Sequence, residues 1–327
     1  MTELDRRTPV LVDCDTGIDD AIALLYLLAH PAVAVVGITT VFGNNTARQC
    51  ATNTLRVVEL AGASSIPVAI GAERPLVGEV TYLATHVHGL DGLGDAGLPL
   101  TVHGTPSEMS AVELIDELSQ QHAGRLRILA VGPLTNLAHA LDRIPDLPAR
   151  VLDVVVMGGA ADAPGNQSAA AEANIIHDPE AAQRVISADW TTTLVPLDVT
   201  MREIITEGHR DALLAAGQPV ASFVADVTEF YMRGYGMESY GTFSSPCHDA
   251  LAAGILTGDV VPSVAPVIDV VVDTTQGPGR GATICDTRAR YRGFTDLPPG
   301  NCRVVLETAG TFCDLLVRRL TGADPDS

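Results

Sequence analysis

The sequence predicts an α/β protein: a Rossmann-like, mostly parallel open sheet flanked by helices, with a small peripheral β hairpin. Apolar, β-branched runs recur at residues 10–12, 33–42, 67–70, 126–131, 151–157 and 191–195, each suited to a buried strand. Segments with apolar residues at helical spacing lie between them, and strands alternating with helices imply right-handed crossovers and a parallel sheet. No linker-like composition or internal repeat interrupts the chain, so residues 1–327 read as one domain.

The totals narrow the function. An apolar fraction of 46% and a mean hydropathy of +0.23 describe a chain that buries a sizeable core. No apolar run reaches the roughly 18 residues of a membrane span, and the polar start Met-Thr-Glu-Leu-Asp-Arg-Arg does not resemble a signal peptide. A cytoplasmic protein is expected. The net charge of −20 makes nucleic acid an unsuitable partner, because phosphate binding needs a basic stripe. All 20 basic residues are arginine, which removes Schiff-base lysine chemistry and the phosphate-loop lysine. The six cysteines are scattered without a Cys-x-x-Cys pair and read as buried thiols.

In chain order, the strand at 10–12 runs into Asp13-Cys-Asp15-Thr-Gly17-Ile-Asp19-Asp20, then into a helix over 18–28. Four carboxylates within eight residues at a strand-to-helix corner repel one another. One or two aspartates fit helix capping; four predict a hard divalent cation with oxygen ligands. The second strand ends at Gly43-Asn44-Asn45. Both corners fall at the carboxyl edge of the sheet, where ligands of such folds bind. A helix over 46–61 and the third strand follow.

Residues 71–106 show little periodicity and contain His86-Val-His88-Gly-Leu-Asp91-Gly-Leu-Gly94. A long glycine-rich loop in a compact domain is more often functional than idle, although both histidines also suit a solvated loop. Ser107 is expected to cap a helix running to about Gln121, without an acidic capping-box partner. The fourth strand turns through Gly132-Pro-Leu-Thr-Asn136 into the next helix; this corner serves as structure alone or frees the Val131 carbonyl for a metal. After the fifth strand, Asn166, Glu172 and Asn174 offer two amides and a carboxylate, groups suited to sugar hydroxyls or to a polar surface. Asp178-Pro179 opens a helix to about Ala188, ahead of the sixth strand.

Helical patterns return over 207–216 and 220–234. Residues 223–243 hold six of the chain's thirteen Phe, Tyr and Trp residues. The glycine-spaced part around Tyr231, Arg233 and Tyr235, extending to Tyr240, reads as an adaptable flap with flat-ring surface. His248-Asp249 opens another apolar helix, His248 being either a cap or a catalytic histidine. The tail gives strands near 267–272, 283–291 and 302–306 and a closing helix over 312–320. Arg280, Arg288, Arg290 and Arg292 are expected on one face of a peripheral hairpin.

These motifs together resemble the nucleoside hydrolases, the inosine–uridine-preferring family. The likeness runs from the aspartate corner through Gly43-Asn44, the His88–Gly94 loop, Gly132-Pro-Leu-Thr-Asn136, Met157-Gly-Gly, Asn166…Glu172-x-Asn174 and Asp178-Pro to His248-Asp249. It covers about residues 10–260. Thr16 departs from the proline usual before Gly17. The resemblance implies hydrolysis of the N-glycosidic bond of ribonucleosides to ribose and free base. It also implies Ca²⁺ held by Asp15, Asp20, Asp249 and the Val131 carbonyl. Asp19, Asn44 and Asn174 are then expected on the 2′- and 3′-hydroxyls, and Asn166 with Glu172 on the 5′-hydroxyl. His88 lines the base side, His248 protonates the departing base, and Asp15 takes the proton of the attacking water. The family's dimers and tetramers imply a homodimer or homotetramer. The only tryptophan, Trp190, lies before a core strand, so a tryptophan sandwich for the base is not expected.

Two other protein classes share part of this pattern. A haloacid-dehalogenase-type phosphatase also places Asp-x-Asp after its first strand but needs a later lysine, which is absent. A nucleoside or ribose sensor would keep the metal pocket and lose turnover.

Overall fold

Eight strands form the central sheet of the computed structural model, which describes residues 7–96, 103–290, 297 and 299–323. They are β1 (Thr8–Cys14), β2 (Val33–Thr40), β3 (Val68–Ile70), β4 (Leu126–Ala130), β5 (Val151–Met157), β6 (Thr192–Val195), and two from the tail, β9 (Val267–Ile268) and β12 (Cys302–Val304). Their order is β3-β2-β1-β4-β5-β6-β12-β9, and every pairing is parallel except β12 with β9. Two small antiparallel pairs stand apart: β7 (Ile204–Thr206) with β8 (Ser244–Pro246), and β10 (Val270–Val272) with β11 (Thr283–Cys285).

The apolar runs are continuous because both sheet faces are covered. Val10, Val12, Leu129, Val155 and Met157 pack into one core with the helices Ile18–Leu28, Pro219–Tyr231, Asp249–Thr257 and Phe312–Leu320. The intervening Leu11, Ile128, Ala130, Val154 and Val156 join the opposite core, under the helices Ala111–Gln121, Thr135–Arg143 and Pro179–Ile186. Alternate residues of one strand thus feed two layers, as pleating requires. Parallel register places Asp13 opposite both Thr39 and Ala130, so the ends of β1, β2 and β4 open on one edge. No helix among the described residues is long and apolar enough to cross a membrane.

Three sequence expectations need correction. The helix expected from Ser107 begins at Ala111: Ser110 Oγ accepts from the Glu113 N–H at 3.3 Å, and Glu113 Oε2 accepts from the Ser110 N–H at 2.8 Å. The acidic partner sought three residues after Ser107 exists three residues after Ser110. The run at 267–272 is two strands, because Asn301 accepts from the Val270 N–H and donates to its carbonyl, directing the chain out of the main sheet. The strand expected over 283–291 ends at Cys285; Arg288 and Arg290 lie in a 3₁₀ turn and pair with Asp286 and Asp162, while Arg280 pairs with Glu180. These arginines therefore do not share a hairpin face; Tyr291 and Arg292 lie outside the described residues.

Candidate active site

The acid corner forms because β1 stops at Cys14 and the helix Ile18–Leu28 starts after only three intervening residues. Gly17 caps that helix, and Asp20 in its first turn reaches back: its Oδ2 accepts from the Gly17 N–H at 2.8 Å and its Oδ1 from the Asp15 N–H at 3.1 Å. Asn44, from the corner after β2, donates its Nδ2–H to Asp20 Oδ2 at 3.1 Å and its backbone N–H to Asp15 Oδ2 at 2.7 Å. Asp15 Oδ1 has no partner and is buried. Two glycines make room for this carboxylate. A Cβ at Gly43 would stand 2.1 Å from Asp15 Oδ2, and one at Gly132 would stand 2.9 Å from Oδ1.

Asp13 supports the floor from behind, accepting from Thr39 Oγ1 at 2.6 Å and Asn136 Nδ2 at 2.7 Å. Burial pushes its carboxyl up to about 6 against those two hydrogen bonds. Asp178 is likewise structural, accepting from Thr135, the Leu76 N–H and the Ala181 N–H.

Asp249 arrives from the far end of the sequence, at the first turn of its apolar helix. It offers an oxygen that lies, with one each from Asp19 and Asp20, within a mutual 4.8 Å. The tightest carboxylate triple among the described residues therefore contains Asp19, with Asp15 beside it rather than within it. Burial raises the carboxyls of Asp15 and Asp249 well above the ordinary range, and the neighbouring aspartates add to it. Asp20 is pushed up to about 7 by burial and then by Asp19. So many buried carboxylates stay charged together only with a counter-cation. The donors are all oxygen, and two buried atoms, Asp15 Oδ1 and Asp19 Oδ1, accept no hydrogen bond, the second lying 3.9 Å from His88 Nδ1. This cluster fits a hard metal ion. The Val131 carbonyl lies in the same cavity and accepts from Asn174 Nδ2 at 3.0 Å.

One cavity gathers Asp19, Asn44, His88, Val131, Asn166, Glu172, Asn174, Tyr231, His248 and Asp249. Glu172 caps the helix Ala173–His177 and accepts from the N–H groups of Gly159, Asn174 and Ile175 at 2.8–3.1 Å. Burial still raises its carboxyl to about 7. His88 is buried, not solvated; its Nδ1 accepts from the Ile18 N–H at 3.2 Å, while His86 is exposed. His248 makes no capping bond. Its Nδ1 lies 2.8 Å from Thr200 Oγ1, and its Nε2 is buried without a partner. Burial lowers both imidazoles, His88 to about 3 and His248 to about 4, with Asp19 partly opposing the shift at His248.

The aromatic wall is one helical face. Tyr231 and Tyr235, four residues apart, stack at 5.4 Å and 12°, with His88 and His248 at their flanks. The helix passes through a π turn over Met232–Gly236, and Gly236 is required there: a Cβ would stand 1.6 Å from the Ser244 carbonyl oxygen. Helical phase removes Arg233 from the cavity; its exposed guanidinium pairs with Glu229 and lies 5.6 Å from the Phe243 ring. Tyr240 also stands outside, donating to the Met201 carbonyl at 2.9 Å. Tyr82, Gln167 and Glu238, which the sequence does not single out, also line the cavity, as does Tyr235 of the flap. Only Tyr235 carried a signal, its spacing from Tyr231. Trp190 is buried, donating to the Val185 carbonyl.

An acid floor that fits a metal ion, an amide-and-carboxylate flank for hydroxyls and an aromatic wall with a histidine define a glycosidase-type site. The model of the inosine-uridine preferring nucleoside hydrolases matches residues 10–311, and the chain belongs to that family. It is 35% identical over 314 residues to a pyrimidine-specific ribonucleoside hydrolase of Enterobacter sp. (strain 638), covering 95% of this chain and 97% of that one. Uridine nucleosidase 1 of Arabidopsis thaliana is 36% identical over 86% of this chain and 83% of its own. The structure of a purine-preferring ribonucleoside hydrolase from Gardnerella vaginalis superposes with a TM-score of 0.87 at 28% identity, covering 96% and 98% of the two chains. The chain is thus an N-ribosyl hydrolase, acting on nucleosides.

Proposed function

We propose that this protein is a calcium-dependent, cytoplasmic hydrolase of pyrimidine ribonucleosides, releasing ribose and the free base. The carrying observation is the oxygen cluster whose Asp19 and Asp249 line one cavity with Tyr231 and Tyr235, with buried Asp20 and Asp15 beside them. The pyrimidine preference follows the names of the two relatives above. Asp15, Asp20, Asp249 and the Val131 carbonyl would hold the ion, with Asp19 close enough to join them. When bound, calcium neutralises the acid cluster and supplies Lewis acidity toward oxygen ligands.

The chain's own groups do the rest. Asp19, Asn44 and Asn174 grip the vicinal hydroxyls at the floor, converting binding into positioning of the anomeric carbon. Asn166 and Glu172 serve the 5′ end. Asp15 keeps Oδ1 free to take a proton from water attacking that carbon, a role typically supplying about 10²–10⁴ in rate. The transition state is oxocarbenium-like, and the leaving base gathers charge. In the tautomer whose Nδ1 accepts from the Thr200 hydroxyl, neutral His248 keeps its proton on Nε2 and hydrogen-bonds the base as it gathers charge, while solvent supplies the proton that the released base takes up. His88 and the stacked tyrosines hold the base's faces. Family kinship supports assembly as a homodimer or homotetramer, which light scattering on the purified protein tests.

The deciding experiment is a reducing-sugar assay with uridine, cytidine, inosine, adenosine and 2′-deoxyuridine, before and after chelation and calcium re-addition. Release of ribose from uridine, its loss on chelation and its return with calcium are expected. Turnover indifferent to chelator ends the metal assignment, and failure on every ribonucleoside ends the reading.

A further inference from the structure

Tyr82 lies in the irregular stretch before the short helix Thr85–His88 and lines the cavity beside Asn166 and Glu172. Its hydroxyl oxygen stands 3.2 Å from His177 Nδ1. That nitrogen is also 2.7 Å from the Ala173 carbonyl oxygen, one turn back on its own helix. A carbonyl only accepts, so this contact requires the proton on Nδ1. A protonated ring nitrogen has no lone pair for Tyr82 to donate into. The tyrosine oxygen therefore shares the His177 N–H as a second acceptor, and its own proton is directed elsewhere. Among the described residues no other group stands within hydrogen-bond reach to accept it.

The ring is held in place. It packs on His177 at 4.3 Å and 42°, and His177 meets Phe42 edge-on at 5.9 Å. Burial, then the charges of Glu172 and Asp15, raise the phenol well above its ordinary value, so the donor proton is retained. A fixed, permanent O–H donor without a protein acceptor thus faces a cavity built for a polyol. The vicinal hydroxyls of a ribose lie on one face of its ring and the 5′-carbon on the other. With the diol on the acid floor, the 5′-oxygen is the sugar atom presented to the Glu172 side. Glu172 itself only accepts there, and its oxygens already serve three backbone N–H groups.

Resting on the ribonucleoside reading of this cavity, we propose that Tyr82 is a specificity-determining residue whose hydroxyl donates a hydrogen bond to the 5′-oxygen of the substrate sugar. A 5′-deoxy sugar leaves this donor unpaired, which is how a polar site rejects an analogue lacking one oxygen.

The test compares wild type and Tyr82→Phe on uridine and 5′-deoxyuridine, by kcat/KM and by the thermal shift each ligand produces in the calcium-loaded protein. Wild type is expected to favour uridine. The variant is expected to lose about three- to tenfold on uridine, to stay within about twofold on 5′-deoxyuridine, and so to lose the preference. Equal losses on both substrates, marking a packing role, or an unchanged uridine rate overturns the proposal. If wild type cleaves neither substrate, the hydrolase reading fails separately. The thermal shifts then still decide Tyr82: uridine must protect wild type more than 5′-deoxyuridine does, and protect Tyr82→Phe no more.

Discussion

The proposed mechanism assigns two side chains to the attacking water and the leaving base, and each has one atom without a hydrogen-bond partner: Asp15 Oδ1 and His248 Nε2. Asp15→Ala is expected to lower uridine turnover by at least about 10²-fold, the range of general base help, with an unchanged far-ultraviolet dichroism spectrum. Activity within tenfold of wild type removes Asp15 from the role. His248→Ala should slow uridine far more than nitrophenyl riboside, whose leaving group departs without a proton. Equal losses on the two substrates would show that His248 shapes the cavity and gives the leaving base no hydrogen bond. The burial that holds this imidazole near 4 makes it a neutral donor through the physiological range. The rate for uridine is therefore not expected to track a histidine ionisation between pH 6 and 8.

At the scale of elements, the site depends on where helices begin and how close they come to strands. Gly236→Ala places a methyl group against the Ser244 carbonyl and must part the π turn from β8. A cost of about 1–3 kcal/mol is expected, with weaker nucleoside binding as Tyr235 leaves its stack. Unchanged melting temperature and KM contradict the close approach. The capping box at Ala111–Gln121 offers a pH test remote from the site. Hydrogen bonds from the Ser110 N–H and hydroxyl hold the Glu113 carboxyl below its ordinary value. A depressed folded value adds stability above the unfolded pKa of about 4.3, and this is lost as pH falls through the folded one. Melting curves of wild type and Glu113→Gln should differ most near neutrality and converge on acidification; a gap constant with pH contradicts the cap. This cap was legible in the sequence: Ser107 is followed three residues on by Ser110, whereas Ser110 is followed by Glu113, and the capping box forms at the second. Helical phase misled at Arg233, whose composition suggested a binding side chain but whose position turns it to solvent.

Over the whole molecule, the sheet and the acid corner were legible because both are local: apolar runs and four aspartates in eight residues need no distant partner to be recognised. The pairing of that corner with Asp249 was not local and came with the family resemblance. Tyr82 lay beyond reach altogether, since its meaning comes from His177, 95 residues away. The tail was misread where strand fragments of two or three residues change sheets at Asn301. If the acid floor holds calcium, the folded state alone assembles the site, and excess ion must stabilise it by mass action, by about 2.7 kcal/mol at a hundredfold over Kd. Chelation should lower the melting temperature and calcium restore it. A melting temperature indifferent to both means that protons, not metal, neutralise the cluster.

The floor hangs on the ends of β1, β2 and β4 and on the helix starts at Ile18 and Asp249, whereas the tyrosines ride on one helix running to Gly236. On the proposed reading, the acid floor and the tyrosine part of the base site therefore sit on different pieces of chain. A lineage could exchange residues along that single helix, moving between small and large bases, without disturbing the atoms that open the glycosidic bond.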